Sequence, residues 1–127
     1  MIKQLVMIPN ATAQQVYELL TDSAKHTVLT SSLANIDPRK GGQFSTFDGY
    51  ATGSIIDLKP YSLIEQTWRA DDWPEGHLSS IKFELSDNHQ GTQIKFTQTN
   101  IPEGREQEYE AGWDDFYWSP LKDYFSK

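Results

Sequence analysis

The chain has 127 residues, 13% of them aromatic, a formal net charge of -7 and no cysteine. That length fits one domain, expected to span residues 1–127, and the acidity argues against a nucleic-acid backbone or an anionic membrane surface as partner. Without cysteine there is no disulfide, thiolate metal site or cysteine nucleophile.

Residues 2–8 alternate, with Ile2, Val6 and Ile8 on one face and Lys3, Leu5 and Met7 on the other, so a strand is expected there. Pro9 ends it. Thr12 and Gln15 have the spacing of a capping box, and Val16, Leu19 and Leu20 continue as a helical stripe to about residue 20. Thr21, Asp22 and Ser23 offer a second cap for a short helix over 24–30. Strands are then expected near 33–37, 42–47, 50–58, 62–69, 77–86 and 92–99. Asp48-Gly49 reads as a two-residue hairpin turn and 87–91 as a longer one. His77, Ser79, Ile81, Phe83 and Leu85 share one strand face, the dry-and-wet alternation of an antiparallel sheet.

Past Pro102 the pattern turns helical. Trp113, Phe116, Tyr117, Leu121, Tyr124 and Phe125 recur at three- and four-residue spacing, and Glu106, Glu108, Glu110, Asp114 and Asp115 crowd the early turns. Pro120 is expected to kink or segment this helix. A twisted antiparallel sheet must cover one apolar face, and only this helix has a stripe broad enough to do so. The expected fold is therefore α+β, a curved sheet of six to seven strands around a long C-terminal helix, with two short helices after the first strand. A cavity is expected wherever curvature parts sheet from helix.

Trp68, Trp73 and Trp113 are candidates to line that cavity, alone as packing or with a ligand against them. Arg69 could clamp a carboxylate at the mouth or pair with Asp71, Asp72 or a cross-strand Glu on the surface. Tyr109, Phe116 and Tyr117 on the helix and His77 at a strand start after a turn complete the candidate set. His26, His77 and His89 lack metal-ligand spacing and read as exposed or capping residues. The pairs Asp71-Asp72 and Asp114-Asp115 lack the enforced proximity that moves a carboxylate toward neutral pKa. No nucleophile elbow or phosphate loop occurs. No catalytic set, metal or cofactor is therefore expected.

The motifs Gly41-Gly42-x-Phe44, Phe47-Asp48-Gly49, Gly53 before a strand ending at Pro60, and Trp68-Arg69 form a recognisable series. Trp73-Pro74-Glu75-Gly76-His77, Thr92, Ile101-Pro102 and Gly112-Trp113 continue it. Together they resemble the activator of heat-shock protein 90 ATPase family, within the helix-grip superfamily of START-like and birch-pollen-allergen-like domains. The resemblance implies a non-enzymatic domain. Eukaryotic co-chaperones of this kind pair such a C-terminal domain with a separate N-terminal one, whereas this chain begins directly at its first strand. Two roles are expected on that basis: a small-ligand binder taking a hydrophobic molecule, or a co-chaperone-like contact for heat-shock protein 90. No stretch approaches the ~20 apolar residues of a membrane span. The N-terminus lacks the apolar core of a signal peptide, so a cytoplasmic location is expected.

Overall fold

The computed structural model describes residues 1–126. Seven strands run β1 (Ile2–Pro9), β2 (Asn35–Ile36), β3 (Gln43–Thr46), β4 (Ala51–Lys59), β5 (Leu63–Ala70), β6 (Ser79–Asn88) and β7 (Gly91–Thr99). Helices α1 (Ala13–Thr21) and α2 (Ser23–Thr30) follow β1. The chain ends in α3 (Glu106–Trp113), a π-helical segment (Asp114–Trp118) and α4 (Ser119–Tyr124). The strands form one antiparallel sheet in the order β1-β7-β6-β5-β4-β3-β2. Every neighbour is consecutive in sequence except β1, which closes the sheet against β7.

Local chemistry explains the element ends. Thr12 accepts from the Gln15 amide while the Gln15 side chain accepts from the Thr12 amide, closing the capping box. Asp22 accepts from the Lys25 amide and starts α2 directly after α1. On β1, Ile2, Val6 and Ile8 are buried while Lys3 and Leu5 face solvent. Ile64, Ile81, Ile94 and Phe96 supply the sheet's inner face, against Trp113, Trp118 and Leu121 of the C-terminal helical region. In β4 the register slips by one residue between Ile55 and Asp57, a bulge that bends the strand and adds the twist needed to curve around a helix.

Three expectations change. Asp48-Gly49 sits in a four-residue turn, Phe47–Tyr50, closed by the Thr46–Ala51 pair. Phe47, Asp48 and Gly49 all have positive φ, and the Asp48 amide donates to the Leu33 carbonyl at 2.9 Å, so the preceding loop holds this turn from outside. The β6–β7 turn is the shorter one, with only His89 and Gln90 between Asn88 and Gly91. Asn88 Oδ1 accepts from the Gln90 and Gly91 amides, which lets so tight a turn close.

The third change is in the C-terminal helix. Its π-helical turn alters the phase of the stripe, so Tyr117 and Trp118 both point inward while Phe116 (59% exposed) and Tyr124 face outward. Pro120 lies at the start of α4, where its missing amide donor falls at the end of the wide turn.

Candidate functional site

An open cleft of about 420 Å³ lies where α3 and the π-helical segment part from the strands. Phe47 and Tyr50 from the β3–β4 turn and Trp68 from β5 form one side. Glu108, Tyr109, Gly112, Trp113, Phe116 and Tyr117 form the other. The helix positions its share through spacing: Glu108, Gly112 and Phe116 recur every four residues along one face.

The rings meet at steep angles. Trp68 is edge-on to Tyr109 with centroids 5.6 Å apart, and to Tyr50 at 6.4 Å. Phe47 is edge-on to Tyr117 at 5.5 Å and to Phe116 at 5.8 Å. Trp113 and Tyr117 stack at 4.9 Å. Hydrogen bonds lock this wall from behind. Trp113 Nε1 donates to Gln98 Oε1 at 2.8 Å, Gln98 Nε2 donates to Ser79 Oγ, and Ser79 Oγ donates to the Trp68 carbonyl. Trp118 Nε1 donates to Gln4 Oε1. An indole N–H buried without a partner would cost about 1–3 kcal/mol, so these bonds select one orientation for each ring.

Tyr109 is the hub of the mouth. Its hydroxyl accepts from Trp73 Nε1 at 2.8 Å and shares a hydrogen bond with Tyr50 Oη at 2.9 Å. Burial, and then this bond, push the Tyr50 phenol up, so it stays protonated. Arg105 stands 5.3 Å over the Tyr109 ring and binds Glu108 through two nitrogens and Asp72 through one. Those hydrogen bonds lower the Glu108 pKa and keep its carboxylate charged at the rim.

Behind the cleft, sharing Trp68, Trp113 and Tyr117 as a common wall, is a small chamber also lined by His26, Thr46 and Gln66. His26 is buried, with Nδ1 3.1 Å from the Leu19 carbonyl and Nε2 3.0 Å from Tyr117 Oη. A carbonyl can only accept, so the proton sits on Nδ1 and the Tyr117 hydroxyl donates to Nε2. Burial lowers the His26 pKa to about 4, which the Leu19 bond only partly offsets. Burial also drives the Tyr117 phenol up, so it stays protonated. Thr46 Oγ1 is buried with no partner in hydrogen-bond geometry among the described residues.

The family described as "Activator of Hsp90 ATPase homolog 1-like protein" matches residues 10–126. The chain belongs to this family. It is 29% identical over 112 residues to the human activator of 90 kDa heat shock protein ATPase homolog 1, covering 88% of this chain and 33% of that protein. With the Dictyostelium discoideum homolog it shares 33% identity over 98 residues, 76% of this chain and 26% of that protein. The chain thus spans about a third or less of these relatives. In fold it is similar to the crystal structure of an HSP90 activator from Plasmodium falciparum, with TM-score 0.88, 23% identity, and 97% and 94% of the two chains covered. The helix-grip architecture expected of an activator-of-Hsp90-ATPase-like chain is therefore present.

In this family member the structure brings Trp68, Tyr109, Trp113, Phe116 and Tyr117 together around the cleft. Trp73, Arg69 and His77 lie outside its lining. Trp73 supports the cleft through its bond to Tyr109. Arg69 does not make the surface ion pair considered for it: Nη2 donates to the Trp73 carbonyl at 2.6 Å, which ties down the β5–β6 connection. Among the described residues no Asp or Glu pairs with it. His77 precedes β6 rather than opening it; Nε2 donates to the Asn100 carbonyl at 2.8 Å and the ring packs edge-on to Trp73.

His26 is a correction, a core residue and not an exposed or capping one. Phe47, Tyr50, Glu108 and Gly112 were not anticipated in the site. The Phe47-Asp48-Gly49-Tyr50 string was the available signal, because two aromatics flanking a turn can fold onto whatever lies beyond the sheet end.

Proposed function

We propose that this domain is a non-enzymatic binding module whose cleft holds a small hydrophobic molecule. The observation that carries this reading is the open, pre-formed aromatic cavity of about 420 Å³, within the size range of ligand sites and anchored from behind by hydrogen bonds. The polar groups at the cleft are already engaged with one another, Tyr50 with Tyr109 and Glu108 with Arg105, a pattern suited to holding shape rather than to proton transfer.

Gly112 provides the test. It lines the cleft, and a Cβ added there meets no atom of the other described residues within 4 Å beyond its chain neighbours and its own helix backbone. Gly112→Leu fills the mouth and gains helix propensity of roughly 0.5–1 kcal/mol, so the fold is retained while the cavity closes. An apolar ligand such as indole is expected to raise the melting temperature of the parent protein and not of Gly112→Leu. Equal shifts in both proteins would refute the cleft as the site.

A second reading, contact with heat-shock protein 90, is favoured by the family match over residues 10–126. Amide NMR spectra of the labelled chain titrated with purified heat-shock protein 90 are expected to change on one surface only. Unchanged spectra at high micromolar chaperone would remove this reading.

A further inference from the structure

The cleft's wall chemistry also selects the charge of its occupant. Resting on the reading of the cleft as a ligand site, we infer that it prefers a hydrophobic organic cation, a quaternary ammonium group on a small apolar body. Among the described residues seven of the nine in the lining are aromatic, and the one charged residue there is Glu108 with its carboxylate. Aromatic faces carry negative potential and attract a cation placed against them, most strongly for tryptophan. Rings meeting at 51° to 78° around Trp68 make the walls of a box, which suits a compact trimethylammonium group better than a flat shelf would.

The alternatives fit less well. An anion would find no lysine or arginine in the lining among the described residues. A neutral ligand rich in hydrogen-bonding groups would find the Tyr50 and Tyr109 hydroxyls bonded to each other, with Trp73 already donating to Tyr109. Arg105, outside the lining, is shared between Glu108 and Asp72, so one cation faces two carboxylates at the rim. Its guanidinium over Tyr109 shows the same attraction at work within the protein. The chain's net charge of -7 adds a long-range potential of the same sign.

The experiment is an amide NMR titration of the labelled chain with choline, with its uncharged isostere 3,3-dimethylbutan-1-ol, and with indole. The expected result is choline binding at least about tenfold tighter than the isostere, with shifts at Gly112 and its neighbours. Glu108→Gln is expected to weaken choline several-fold and leave the isostere unchanged. If the isostere or indole moves the cleft resonances and choline does so no better, the cationic preference is overturned while the cleft remains a ligand site. If none of the three moves them, both fall. Choline shifts confined to residues outside the cleft also overturn the inference.

Discussion

His26 carries a pH signature in the acid range. Its pKa in the fold is about 4, against 6.5 ordinarily, so between those values the unfolded chain binds a proton that the native protein refuses. Its contribution to stability is complete above pH 6.5 and drains away as pH falls, reaching a loss of about 3 kcal/mol by pH 4. Urea unfolding at pH 7 and pH 4.5 is expected to show this loss in the parent protein and a flatter dependence in His26→Gln. The same dependence in both would assign the acid sensitivity elsewhere. Beside it, the Thr46 hydroxyl is buried with no hydrogen-bond partner among the described residues. Thr46→Val keeps the shape and removes the orphan group, so chemical denaturation should read a gain of about 1 kcal/mol. A loss would mean that the hydroxyl is satisfied by water in the chamber.

Among the elements, β4 shows how closely two backbones can constrain one residue. A Cβ at Gly53 would stand 2.0 Å from the Thr67 carbonyl oxygen and 2.7 Å from the Phe44 ring. The carbonyl belongs to the neighbouring strand and cannot move without disturbing the ladder, so Gly53→Ala is expected to cost on the order of 3 kcal/mol, read as a drop in the denaturation midpoint. Wild-type stability in that variant would show that β4 and β5 separate readily. The C-terminal helix gives a complementary lesson. A strict 3.6-residue period places Phe116 inward and overlooks Trp118, whereas the π-helical turn buries Trp118 at 1% exposure and leaves Phe116 at the cleft mouth. A change of phase over five residues leaves no mark in composition.

At the scale of the whole molecule, Tyr109 joins the two layers, since one hydroxyl ties α3 to Trp73 of the β5–β6 connection and to Tyr50 of the β3–β4 turn. Tyr109→Phe strands the buried Trp73 N–H and is expected to cost about 1–3 kcal/mol. Thermal unfolding measures that cost, and tryptophan fluorescence should report a less ordered environment for Trp73 and Trp68. A fully stable variant with unchanged emission would show that ring packing alone holds the layers together.

The order of the elements, the antiparallel sheet, the capping box at Thr12 and the covering helix follow from hydrophobic period and turn chemistry, which act between residues close in the chain. The aromatic lining of the cleft was equally legible, because Trp68, Tyr109, Trp113 and Tyr117 have few places to go in so small a core. Tertiary structure alone decided which rings border open space and which are sealed in. It turned Phe47 and Tyr50 onto the helix and sent Arg69 to the Trp73 carbonyl. It buried His26 against Tyr117, 91 residues away in sequence. Such contacts depend on where curvature separates sheet from helix, a property of seven paired strands together and of no segment by itself.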